Sequence, residues 1–253
     1  NIKLLKFEYV ILILMSVIGM MIMVSSNDLI SLYLGIELQS LPLYVLASIR
    51  NKSLKSTESG LKYFVLGALS SCILLYGLSL IYGYTGSIYY EEILNNIEIS
   101  NIGILIGLAF LLAGFSFKIS AVPFHMWTPD VYEGSPTTIT AFFAVAPKIA
   151  ALGLIARILI TGLPNLIDDW RSILMLLSIF SMLLGAFSAI GQTNIKRLLA
   201  YSSISHMGFA LMGITNGSIE GIRSLCLYLF IYLVMSLAIF ISIIALKKDD
   251  EHF

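Results

Sequence analysis

A chain of 253 residues with 58% hydrophobic and 12% charged side chains, at a mean hydropathy of +0.93, lies outside the compositional range of soluble globular domains. Fifteen basic residues balance fifteen acidic ones, and the basic ones are scattered, which excludes a nucleic-acid patch and gives no sign of an acidic substrate. Cys72 and Cys226 stand far apart inside apolar runs, so a disulfide framework or cysteine metal site has no support and both read as packing residues.

Crossing the hydrocarbon core as a helix takes about 20 apolar residues. Eight such runs are predicted, near residues 7–25, 29–49, 61–84, 101–125, 137–161, 172–191, 196–215 and 224–246. A membrane barrel would instead alternate apolar and polar residues over short segments. The fold class is therefore an all-α polytopic membrane bundle. Threading eight spans puts both termini on one side with Lys3, Lys6, Arg50, Lys52, Lys55, Lys196, Arg197, Lys247 and Lys248. The opposite loops collect Asp28, Glu91, Glu92, Glu98, Asp168, Asp169 and Glu220, with Arg171 and Arg223 as their basic residues. The positive-inside rule then places both termini in the cytoplasm or its organellar equivalent. The polar connection from Gly86 to Ser100 reads as a short surface helix or loop, and Trp127, Tyr132 and Trp170 as interfacial anchors. The chain begins at Asn1 with neither an initiator Met nor a signal-peptide cleavage pattern, and reads as a fragment or a processed chain.

Four ionisable side chains fall well inside spans: Glu37, Lys118, Lys148 and His206. A charge at the bilayer centre costs about 2.5–3.5 kcal/mol on insertion scales, so such groups face a partner or a polar path. The bland alternative is a buried pair that only fixes helix packing, and for His206 a hydrogen bond to Ser202, Ser203 or Ser205. Prolines accompany three of the four. Pro42 follows Glu37, Pro123 follows Lys118, and Pro147 directly precedes Lys148. A proline cannot donate to the carbonyl one turn earlier, so helix breaks are expected at all three, freeing the acceptors of Leu38, Ile119 and Phe143. Ordinary kinks are the alternative. Burial disfavours a lysine's charged form and a nearby carboxylate opposes that effect, so such a lysine can switch protonation state. A Glu37–Lys118 pair is expected across helices, with the proton passing from Lys118 towards Lys148.

Lys62 lies near a span end, where an i,i+4 pair with Glu58 competes with a functional role. Arg157 reads as structural, and Lys196 and Arg197 as topology determinants. No glycine-rich phosphate loop or cysteine cluster is present, and His125 and His206 form no haem or metal ligand set. Gly60, Gly67 and Ala68 suit close helix packing. Met15, Met20, Met21 and Met23 read as lipid-facing or core filler.

The runs SNDLISLYLGIELQSLPLYVLAS, FHMWTPDVYEGSPTTITAFFAVAPK and QTNIKRLLAYSSISHMGF resemble the antiporter-like membrane subunits of NADH:quinone oxidoreductase, respiratory complex I. PDVYEGSPT followed by VAPKIA is most similar to the subunit 2, or subunit N, branch. The resemblance implies two inverted five-helix repeats, each with a discontinuous helix. Residues 1–165 would form a complete first repeat, broken near Lys118–Pro123, and residues 166–253 three helices of the second. It further implies proton translocation coupled to quinone reduction elsewhere. Glu37 would be the pairing glutamate, Lys118 the lysine at the broken helix, Lys148 the central lysine, His206 a histidine towards the second half, and Lys62 a further family lysine.

No cofactor is expected in this chain, NADH, FMN, iron–sulfur clusters and ubiquinone being expected in other subunits. The implied partners are other membrane-arm subunits and membrane lipids; the remaining helices of the second repeat are expected to be lost, to lie outside this sequence, or to be supplied by a second chain. The implied location is the inner mitochondrial membrane with termini on the matrix side, or the bacterial cytoplasmic membrane. The chain departs from the family pattern in length, lacking the second repeat's broken helix and the three extra N-terminal helices of many relatives. A multi-subunit cation/proton antiporter is a rival, distinguished by sodium-dependent transport without quinone. A non-pumping scaffold is another, distinguished by dry surroundings of Glu37, Lys118 and Lys148.

Overall fold

The structure, a computed structural model, describes residues 7–50, 52–97 and 101–246. Lys3, Lys6, Glu98, Lys247 and Lys248, part of the charge sorting above, lie outside the described residues. Among the described residues, eight helices are long and apolar enough to cross a membrane. They comprise α1 (Phe7–Ser25), α2 (Leu29–Ala47), α3 (Leu54–Thr85), α5 (Ile102–Ile119), α7 (Thr137–Arg157), α8 (Ile167–Ile190), α9 (Ile195–Thr215) and α10 (Ile219–Leu246). A π-helical turn at Ile158–Gly162 extends α7, and a 3₁₀ turn at Pro164–Leu166 leads into α8. Two short helices sit between spans, α4 (Tyr90–Asn96) and α6 (Trp127–Gly134). The chain is a multi-pass membrane protein.

Helix starts follow capping chemistry: Asp28 accepts from the Ser31 amide at 2.7 Å, Asn101 from Gly103, and Asn194 from Lys196 and Arg197. Several helices outrun their apolar stretches. α3 begins at Leu54 rather than near 61, because the hydroxyls of Ser56 and Ser59 donate to the Ala47 carbonyl at the end of α2 and dock the polar turn there. The opposite departure occurs in the fourth span, which ends at Ile119 rather than near 125. Ser120 turns left-handed at φ 62, and the Ser120 and Ala121 amides donate back to Phe117 and Ser116 at 3.1 and 2.8 Å.

Neighbours in sequence pair in space, α1 along α2, α3 along α5 and α8 along α9, while α7 touches members of both halves and fills the centre. Close approach uses glycine. A Cβ on Gly19 would meet the Gln39 backbone, and one on Gly35 would fall 2.6 Å from the Met23 amide nitrogen. Gly60 and Gly67 serve as expected, against Ser48 and the Tyr44 ring. Met20 and Met23 fill the core while Met15 and Met21 face outward. Cys72 and Cys226 are exposed on outer faces, not packed inside as their type suggested, because lipid-facing helix surface accepts an apolar thiol equally well.

The expected aromatic anchors are also corrected. Trp127, Tyr132 and Trp170 are buried, since each indole nitrogen finds a carbonyl inside the bundle, Phe117 for Trp127 and Leu163 for Trp170. The connection from Gly86 onward contains α4, joined to the α2 entry by an Asp28–Tyr89 bridge, and residues 98–100 of the predicted stretch lie outside the described residues.

Candidate functional site

The break after α5 is built with groups on two other elements, α6 and α8. Trp127 Nε1 donates to the Phe117 carbonyl at 3.1 Å, and Ser181 of α8 accepts from the Val122 amide at 2.9 Å. Both satisfy backbone groups that a helix end exposes inside a bundle. The Val122–Pro123 peptide bond is cis. Lys118 sits in the last turn of α5, partly exposed, and its Nζ donates to Ser40 Oγ of α2 at 2.8 Å. Ser40 in turn donates to the Ile36 carbonyl at 2.6 Å.

Glu37 lies near enough to act electrostatically on Lys118, but the two form no ion pair. The direct Glu37–Lys118 contact expected from sequence is replaced by the Ser40 hydroxyl, one turn along α2, which reaches the ammonium first. Glu37 Oε1 is buried without a hydrogen-bond partner.

Lys148 is 1% exposed at the centre of α7. Its Nζ donates to Ser203 Oγ of α9 and lies 5.4 Å from the centroid of the Tyr132 ring. Pro147 does not break α7, and Pro42 does not break α2; both helices run through their prolines, contrary to the expected breaks. Near Pro147 the carbonyl of Ala144, one residue beyond the expected Phe143, receives the Tyr232 hydroxyl at 2.9 Å. That hydroxyl braces the carbonyl next to the Phe143 acceptor, the one that Pro147 frees.

His206 is partly buried on α9, with Nδ1 2.7 Å from the Tyr228 hydroxyl of α10. Its partner is thus a tyrosine from the next helix rather than a neighbouring serine. The Tyr232 ring lies 5.3 Å from the imidazole, so Ser203 and Tyr232 stand between Lys148 and His206. Lys118, Lys148 and His206 therefore each have a polar partner on a different helix.

Lys62 belongs to a second assembly on the basic side. It pairs with Glu58 at 2.7 Å, as its spacing suggested, and with Asp130 of α6 at 2.8 Å. Asp130 also takes Arg197 at 2.8 Å, and Glu133 takes Lys55 at 2.9 Å and Arg197 at 3.0 Å. These residues line a cleft of about 150 Å³. Burial works against the Asp130 carboxylate, but hydrogen bonds from Lys62 and Arg197 outweigh it and hold its pKa below the usual carboxylate range. The Lys55 hydrogen bond does the same for Glu133. Lys196 donates to the Ser135 carbonyl at 2.7 Å. Arg157 is structural, tying α7 to the Val24 carbonyl and Asn27.

The fold recurs in known proteins. The family described as NADH:quinone oxidoreductase/Mrp antiporter, transmembrane, matches residues 26–253 of the sequence. The chain belongs to this family. Proteins named NADH-quinone oxidoreductase subunit N are similar to it: that of Parvibaculum lavamentivorans is 56% identical over 249 residues, 98% of this chain and 52% of that protein. That of Pelagibacter ubique is 57% identical over 251 residues, 99% and 53% respectively. The chain spans about half the length of the curated relatives it matches. Among solved structures, a chain of respiratory complex I from Thermus thermophilus with bound Aureothin superposes at a TM-score of 0.81 and 36% identity, covering 93% of this chain and 51% of that one. The Mrp complex from Dietzia sp. superposes at 0.83 with 24% identity, a likeness of fold alone.

Within this antiporter-like fold, Ser40, Ser203, Tyr132, Tyr228, Tyr232, Asp130 and Glu133 were missed as site groups by sequence reasoning. Serine and tyrosine are too common in apolar helices to stand out. Asp130 and Glu133 had a signal, two acids at i,i+3 in PDVYEG directly after the break. Among the described residues, no three His, Cys, Asp or Glu side chains converge as metal ligands.

Proposed function

We propose that the chain is a proton-translocating, antiporter-like membrane subunit of an NADH:quinone oxidoreductase. The observation that carries this reading is the pair of intramembrane lysines, Lys148 buried and Lys118 partly buried, each held by one serine hydroxyl of another helix in an otherwise apolar bundle. An ammonium with a single neutral partner is a poor structural brace. It is well suited to releasing and regaining a proton as its surroundings change.

In this reading Glu37 biases the charge on Lys118, Ser203 and the Tyr132 ring receive Lys148, and His206 with Tyr228 carries the polar series onward. Lys62 serves at the basic entrance. Pro123 marks the helix break beside Lys118, while Pro42 and Pro147 act as points where α2 and α7 accept outside partners. Residues 1–165 are the first repeat and residues 166–253 part of an inverted second. Electrons from NADH pass through FMN and iron–sulfur clusters to ubiquinone in other subunits, and neighbouring membrane-arm subunits flank the chain. Its membrane is the inner mitochondrial membrane, or the bacterial cytoplasmic membrane, with the basic side facing the matrix or cytoplasm.

The test is Lys118→Met in the intact complex reconstituted in vesicles. Proton transport per NADH oxidised is expected to fall while electron transfer persists. Unchanged transport would sink the reading.

A further inference from the structure

One helix reaches the sites of both intramembrane lysines without itself being a span. α6, Trp127–Gly134, is 8 residues long and follows the break directly. At helical periodicity Trp127, Thr128, Val131 and Tyr132 share one face, while Asp130 and Glu133 share the other. The first four are buried, and the two acids are partly exposed.

The buried face touches the lysine sites. Trp127 holds the carbonyl of Phe117, the residue before Lys118. Its ring stacks on Phe117 and on Tyr63 at centroid distances of 5.4 and 4.4 Å. Tyr132 lies against Lys148. The polar face is gripped from two spans, by Lys55 and Lys62 of α3 and by Arg197 of α9. Lys62 and Tyr63 are consecutive, so α3 holds α6 through charge at one residue and through a ring at the next.

A helix this short is not stable through its own backbone hydrogen bonds, and its placement comes from tertiary contacts. We propose that Asp130 and Glu133 are positioning residues: their ion pairs fix α6, and α6 sets the geometry of the Lys118 and Lys148 sites together. The inference rests on the reading of those lysines as proton carriers. Exposed pairs are individually weak and exchangeable. Loss of one therefore lets α6 shift as a unit, moving Trp127 and Tyr132 in concert and coupling the basic face of the membrane to both lysines. A passive brace would affect assembly and leave transport in the assembled complex untouched.

The test compares Asp130→Asn, Asp130→Glu and Glu133→Gln in the intact respiratory complex. Backbone hydrogen exchange over residues 120–134 and proton transport per NADH oxidised are both measured. Asp130→Asn is expected to raise exchange and lower transport several-fold. Asp130→Glu, which keeps the charge, restores most of both. Glu133→Gln leaves the Asp130 pairs in place and moves both readouts the same way by less. Unchanged exchange in Asp130→Asn overturns the proposal, as does raised exchange with full transport. Failure of all three variants to assemble also overturns it, in favour of a folding role. If Lys118→Met leaves transport intact, the proton-carrier reading fails, while the exchange comparison still decides whether the acids position α6.

Discussion

Lys118 and Lys148 each lie near a proline in an apolar helix, yet the two helices respond in opposite ways. α5 stops at Ile119, before Pro123, whereas α7 runs unbroken through Pro147. The difference lies in what meets the freed backbone. Beside Lys118 an indole and a serine from other elements satisfy the exposed carbonyl and amide, so a helix end is tolerated inside the bundle. Beside Lys148 the helix continues through Pro147, with a tyrosine hydroxyl on the Ala144 carbonyl, next to the Phe143 acceptor that the proline frees. Proline alone therefore marks a weak point, and its neighbours decide whether the helix opens. The lysines differ accordingly. Lys118 is partly exposed with Glu37 nearby, while Lys148 is sealed with one hydroxyl and one ring.

Replacing each lysine by methionine tests that contrast most severely. Lys148→Met is expected to reduce proton transport in the reconstituted complex to background and to raise the thermal midpoint, since it removes a sealed ammonium with little compensation. Lys118→Met is expected to impair transport as strongly but to raise the midpoint less. Equal shifts in the two midpoints would break the comparison.

The serine partners come next. Ser203→Ala leaves the Lys148 ammonium without its hydroxyl and is expected to cost about 1–3 kcal/mol in denaturant unfolding. Ser40→Ala is expected to cost less, because the Glu37 carboxylate can take over Lys118. A comparable penalty divides the backbone partners. Ser181→Ala strands the buried Val122 amide, again worth about 1–3 kcal/mol. Tyr232→Phe is expected to lose about 0.5–1.5 kcal/mol.

The smallest effect is in pH. Asp130 and Glu133 have folded-state pKa values depressed below their unfolded values. Their contribution is therefore fully present above the unfolded carboxylate range and is lost as pH falls through the depressed values. Hydrogen exchange in α6 is expected to stay flat from neutral pH through mild acid, once corrected for intrinsic rates, and to rise only at stronger acidity. A rise already near neutral pH would show that other groups hold α6.

Much of the bundle is legible along the chain, but unevenly. The eight spans emerge because an apolar run long enough to cross a bilayer has few other uses. The helix ends were misjudged where polar side chains prolong a helix beyond its apolar stretch, as Ser56 and Ser59 do for α3. α6 was not recognised as a helix at all. WTPDVYEG carries mixed polarity and a proline, and contacts from distant residues, among them Lys55, Lys62, Arg197, the Tyr63 ring and Phe117, hold it in place. Likewise the four ionisable residues inside spans stand out because charge is rare in such segments, while the serines and tyrosines beside them do not.

The sequence by itself determined the membrane class, the number of spans, the family resemblance and the identity of the costly charges, because hydropathy and charge are local properties that need no fold to be counted. Only the tertiary structure decided that Ser40 stands where Glu37 was expected, that one proline of three accompanies a break, and that α6 links a surface charge cluster to the surroundings of two intramembrane lysines. Each of those outcomes depends on distances between residues far apart in the chain. A hydroxyl, an indole nitrogen or a carboxylate acts only on the group it reaches, and reach is set by packing.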